Sequence, residues 1–192
     1  MKKNTLIILL VAAILLIGGA VYLFEKNELP FFVQNTEQSK LVNGDFEMIL
    51  PAGWAQVEET MGALAMAKKP EEKIDDPAAE KIGFKSYLAV SYDVLDGRDL
   101  SGYMQDVKNE LPHFVPDTTF GEEKDMSVDG QPAKTLEVDM EKDGAALRSL
   151  IVAVEGKNKD IWTISFSTTK SNWDKYEKSF LDAVDTFKLL KE

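Results

Sequence analysis

Residues 120–168 read FGEEKDMSVDGQPAKTLEVDMEKDGAALRSLIVAVEGKNKDIWTISFST. Four strand patterns lie here: Phe120–Val128, Ala133–Glu141, Ala146–Glu155 and Asp160–Thr168. The separators are Asp129-Gly130, Asp143-Gly144 and Gly156-Lys157-Asn158-Lys159. Asp-Gly between two alternating runs is a strong hairpin signal, because tight β-turns need positive φ at their centre and glycine adopts it cheaply. The stretch predicts an antiparallel four-strand meander.

On either side of the meander the period changes from two to about 3.6. After it, Trp173, Tyr176, Phe180, Val184 and Phe187 recur at helical spacing, with Asp174, Lys175, Lys178, Asp182 and Asp185 lying off the stripe. Ser171 and Asp174 predict an approximate capping box at its start. Before it, Leu100, Tyr103, Met104, Val107 and Leu111 form a second stripe, with Asp99 placed to cap it and Pro112 to end it. Upstream again, Phe84, Leu88, Val90, Tyr92 and Val94 alternate with Lys85, Ser91 and Asp93, which predicts one long half-buried strand. Phe46–Leu50 predicts an opening strand broken by Pro51-Ala52-Gly53, Trp54–Glu59 a returning one and Ala63–Ala67 a third. Lys68–Gly83, with two prolines and a dense mixture of charges, predicts an exposed loop. Strands, helix, four-strand meander, helix is the order of an α+β fold, an antiparallel β-sheet flanked by helices.

The N-terminus is built differently. Residues 5–24, TLIILLVAAILLIGGAVYLF, are uncharged and at 1.5 Å per residue span about 30 Å, the thickness of a bilayer core. Lys2 and Lys3 precede them and Glu25 follows. The positive-inside rule then predicts a cytoplasmic N-terminus at 1–4, a transmembrane signal anchor at 5–24, a juxtamembrane linker at 25–40 and an extracytoplasmic α+β domain at 41–192. Cleavage after the small residues Gly18-Gly19-Ala20, releasing a secreted domain, is the competing reading; the apolar run through Val21–Phe24 favours retention. The expected localisation is a cell membrane, single-pass, with the C-terminal domain outside the cytoplasm.

Composition narrows the chemistry. With 33 Asp and Glu against 22 Lys and Arg, the chain carries a net charge of −11 and repels nucleic-acid phosphates; no nucleic-acid partner is expected. It has no cysteine, hence no disulfide, thiolate metal site or cysteine nucleophile. Its one histidine, His113, lies in no metal-ligand spacing, and no serine sits in a Gly-x-Ser-x-Gly elbow. There is no phosphate-binding glycine loop and no EF-hand. Glu71, Glu72, Asp75, Asp76 and Glu80 gather in 68–83, the one place where a divalent cation could find oxygen ligands, in an order unlike a calcium loop. Glu137, Asp139 and Glu141 alternate along one strand and predict a solvated sheet face. No catalytic, cofactor-binding or metal residue is therefore assigned.

Three stretches carry a resemblance to a known family: FEMILPAGW at Phe46–Trp54, VDGQPAKTLEV at Val128–Val138 and YEKSFLDAVDTFK at Tyr176–Lys188. Together they resemble the PsbP-like fold, whose members often open with a strand, a Pro-x-Gly-Trp turn and a second strand, and close with an aromatic helix and a short Ser-Phe strand. Thr186-Phe187 stands where Ser-Phe is usual. The resemblance extends over about Val42–Leu190 and implies an α/β/α sandwich of the PsbP and Mog type. It transfers no photosystem or Ran-binding residue, and fold alone does not fix function. The expected function is a membrane-anchored accessory or interaction domain, not an enzyme, with another envelope protein as partner. A small-ligand or divalent-cation module is the alternative, and hydrolysis through paired carboxylates the third reading.

Overall fold

The computed structural model describes residues 39–59, 62–156 and 158–190. The anchor read at 5–24 and nearly all of the linker read at 25–40 lie outside them. Among the described residues no helix is long and apolar enough to cross a membrane.

The meander forms as its turns predict. Strands β6 (Thr119–Val128), β7 (Gln131–Lys142), β8 (Ala145–Glu155) and β9 (Asp160–Thr169) pair in succession, all antiparallel. Both residues of Asp129-Gly130 have positive φ, as do both of Asp143-Gly144, the signature of a type I′ hairpin turn whose twist matches the strands. Strand β5 (Tyr87–Val94) adds on the far side of β9, followed by β4 (Ala65–Lys68) and β3 (Ala55–Val57). The seven-stranded order is β3-β4-β5-β9-β8-β7-β6. A second sheet of three strands, β1-β2-β10, joins β1 (Lys40–Asn43), β2 (Phe46–Ile49) and β10 (Lys188–Leu189).

Helix α2 (Leu100–Phe114) packs on one face of the large sheet, and its predicted stripe is buried at all five positions. A short helix α1 (Pro77–Lys81) lies on the same face. Helix α3 (Trp173–Val184) and the small sheet cover the other face. There Trp54 stands edge-on to Tyr176 and Phe180, and Phe180 stacks on Phe166 at 4.4 Å. The result is the α+β sandwich that the pattern predicts.

Five local readings change. The opening strands do not return on each other: β2 belongs to the small sheet and β3 to the edge of the large one, so Pro51–Trp54 moves the chain between layers. β1, which begins inside the predicted linker, is the true hairpin partner of β2, with Leu41 opposite Met48. Strand β5 is not half buried. Ser91 and Asp93, read as solvent-facing, are buried, whereas Tyr92 and Val94, read as core, are 42% and 47% exposed. An interior strand between β4 and β9 is covered on both faces over most of its length, and only Tyr92 and Val94 near its end are exposed. Pro112 does not terminate α2, which runs two residues further and closes with the Val115 N–H donating to the Leu111 carbonyl. The Ser171–Asp174 capping box does not form. A 3-10 turn occupies Lys170–Asn172, α3 starts from Asn172 without a side-chain cap, and the Ser171 hydroxyl pairs with that of Thr169.

Candidate functional site

The stretch read as an exposed loop is partly built into the core. Asp76 caps α1 by accepting from the Ala78 and Ala79 amides, and Ala79 is fully buried. Glu72 is only 3% exposed. Its carboxylate accepts from the Ser86 amide at 2.6 Å and the Ser86 hydroxyl at 2.7 Å, while Lys85 donates to the Glu72 carbonyl. The Tyr176 hydroxyl lies beside this carboxylate without reaching hydrogen-bonding geometry; burial first, and the neighbouring charge second, push its pKa up. Two of the five acids considered for a cation are thus committed to protein N–H and O–H groups. Among the described residues no group of three or more His, Asp and Glu is placed to hold a metal ion. His113 sits exposed in the last turn of α2.

The acids of β7 lead to a more organised surface. Pleat parity puts Glu137 and Asp139 on the α3 side of the sheet, beside Arg148 across β8. The register pairs Asp139 with Arg148 directly. Arg148 grips the Asp139 carboxylate with Nε and Nη2, Lys170 donates to the same carboxylate at 2.8 Å, and Glu137 lies 3.6 Å from Arg148 Nη1. The guanidinium rests 5.5 Å from the Trp173 ring centroid. Hydrogen bonds from Arg148, and then from Lys170, hold Asp139 well below its usual range, at about 2. Next to this lattice Glu141 and Ala146 are exposed, so the α3 side of the sheet is open at this corner. The predicted solvated face is present, but as an ordered array of opposed charges around a bidentate arginine fork.

A second array lies on the α2 side. Glu123 receives Lys108 at 2.6 Å and Lys134 at 3.0 Å, and Lys134 also donates to Asp125 at 2.6 Å. Here Glu123, on edge strand β6, ties the meander to α2. The Asp129-Gly130 turn sets the register that brings Lys134 opposite Asp125, whereas Lys108 reaches Glu123 only once α2 lies on the sheet.

What this geometry defines is a class: an antiparallel sandwich with a helix on each face and charged sheet surface at one corner. Its place among known proteins agrees. Residues 101–189 match the sequence model of the PsbP family. Cyanobacterial PsbP (CyanoP) from Synechocystis sp. PCC 6803 is similar at TM-score 0.56 and 15% identity, covering 83% of this chain and 98% of that one. LpqN, involved in cell envelope biogenesis of Mycobacterium tuberculosis, gives TM-score 0.58 at 12% identity, covering 84% and 99%. The Ran-binding protein Mog1p of Saccharomyces cerevisiae gives TM-score 0.54 at 12% identity, covering 81% and 97%. No curated protein matches by sequence. The chain has a PsbP-like fold.

Proposed function

We propose that this protein is a non-enzymatic interaction domain, tethered by residues 5–24 to the outer side of a membrane, that binds another protein of the cell envelope. The observation that carries the reading is the open corner around Glu137, Asp139, Arg148 and Lys170. Its charges are pre-ordered by one another and by Trp173, on rigid strands, so little side-chain entropy remains to be lost on docking. Such surfaces favour specificity through complementary charge. Elsewhere Glu72 is bonded to Ser86 in the core, and Asp76 and Asp99 cap helices. Two neighbours of the fold lend support: Mog1p binds Ran, and LpqN is involved in envelope biogenesis.

The test uses the full chain, tagged at its C-terminus and expressed from its own host. The tag should be accessible to external protease, the chain should resist alkaline carbonate extraction, and cross-linking in intact cells should return the same envelope protein in each repeat. A protected tag would overturn the topology. A correctly placed chain that returns no recurrent partner would overturn the interaction role.

A further inference from the structure

Asp93 is the penultimate residue of strand β5, just before the joint that leads into α2. It is 6% exposed and faces the α2 side. One oxygen, Oδ1, accepts from the Val94 amide at 2.6 Å; the other, Oδ2, is buried and accepts no hydrogen bond. The cation that could satisfy it is close but engaged. Arg98 Nη2 lies 3.9 Å from Oδ2, yet the guanidinium donates through Nη1 to Asp106 at 2.8 Å, through Nη2 to the Val94 carbonyl and through Nε to the Leu95 carbonyl. It also packs on the Tyr103 ring.

The groups around Asp93 come from every neighbouring element. Asp96 and Arg98 lie in the joint, Tyr103 and Asp106 are on α2, Tyr92 is on β5, and Asp160 opens β9. Tyr103 is engaged with the Thr163 hydroxyl at 3.0 Å and does not turn toward Asp93. Asp96 adds a like charge. Among the described residues Arg98 is the one cation paired with Asp93, and it is shared between two carboxylates.

A buried carboxylate with an unbonded oxygen is costly when ionised and much less so when protonated. Burial, opposed by the Val94 amide and Arg98, leaves the Asp93 pKa raised. A folded-state pKa above the unfolded one gives stability that is present at low pH and is lost as pH rises through the folded value.

We propose that Asp93 makes the β5–α2 joint proton-sensitive: protonated, the joint closes around a neutral carboxyl; ionised, it loosens and draws Arg98 from Asp106 toward Asp93 Oδ2. The exposed side chains of Tyr92 and Val94 flank this joint, so its order also sets the shape of that apolar corner. This inference is independent of the tether and of the partner proposed above.

The experiment is an NMR titration of the full chain in detergent micelles, following the Val94 amide that Asp93 holds. The Val94 signal should move with a midpoint above the ordinary carboxylate range, and Asp93→Asn should abolish that transition. A midpoint at or below the ordinary range overturns the proposal. In parallel, D93N should melt about 2–4 °C above the native chain near neutral pH, with the gap closing on acidification. A gap that does not change with pH, or D93N melting lower throughout, overturns it as well.

Discussion

Both faces of the large sheet are buried along β9, yet they are built from different chemistry. On the α3 side, β9 contributes Trp162, Ile164 and Phe166 to a cluster with Phe46, Trp54, Trp173, Tyr176, Phe180 and Phe187. On the α2 side the same strand contributes Thr163, Ser165 and Ser167, each at most 3% exposed. These hydroxyls have partners: Thr163 with Tyr103, Ser167 with Ser149, and Ser165 with the Ala89 carbonyl. One face is held by non-directional apolar contact over large rings. The other is a laced layer in which position matters as much as burial. The difference teaches that alternation in sequence reports two environments and not necessarily one wet and one dry.

The contrast can be broken most forcefully from the aromatic side. Phe180 touches four other rings, so Phe180→Ala should cost about 3–5 kcal/mol in urea unfolding, with much of the fold's stability lost. A loss under about 1 kcal/mol would mean that the face does not depend on this packing. Glu72→Ala comes next. It leaves the buried Ser86 amide and hydroxyl without their carboxylate and should cost about 1–3 kcal/mol, with faster proteolysis within 69–85. Tyr103→Phe tests the laced face itself: deleting one hydroxyl from the Thr163 pair should cost about 1 kcal/mol, while a neutral result would make the lacing incidental.

The smallest effect belongs to the open corner. Asp139 drops from 3.8 to about 2 on folding because Arg148 and Lys170 donate to it. A depressed folded pKa gives stability that is present above the unfolded value and lost as pH falls through about 2. The carboxylate is a quarter exposed, so solvent screening keeps its net worth under about 1 kcal/mol. Asp139→Asn should therefore leave stability at neutral pH nearly unchanged and flatten the acid limb of the pH–stability curve. An unchanged acid limb would say that the fork is not formed in solution.

The sequence made the meander legible because its turns are local chemistry. Asp129-Gly130 and Asp143-Gly144 set the register of three strands with two residues each. Both helical stripes were legible for the same reason, since every buried residue of the α2 stripe lies within one helix. Failures appeared where an outcome depended on distant residues. Ser91 and Asp93 look like a solvent face until α2 is laid over them. Glu72 looks like one acid among many until Ser86, fourteen positions away, meets it. The split of β2 and β3 into separate sheets followed from β10, the last strand of the chain, pairing with β2. The open corner was visible as three alternating acids, but its organiser, Arg148, becomes apparent only once β7 and β8 are in register.

Site-specific photo-cross-linking tests the account most directly. A photoreactive residue in place of exposed Ala146, beside the Asp139–Arg148 fork, and another in place of exposed Lys81 on the opposite side of the sheet would be compared in the full chain in living cells. A discrete adduct with one envelope protein from position 146, absent from position 81 and weakened by Arg148→Glu, is the predicted result. Equal adducts from both positions, or none from position 146 in a chain correctly placed in the membrane, would contradict the proposed interaction face.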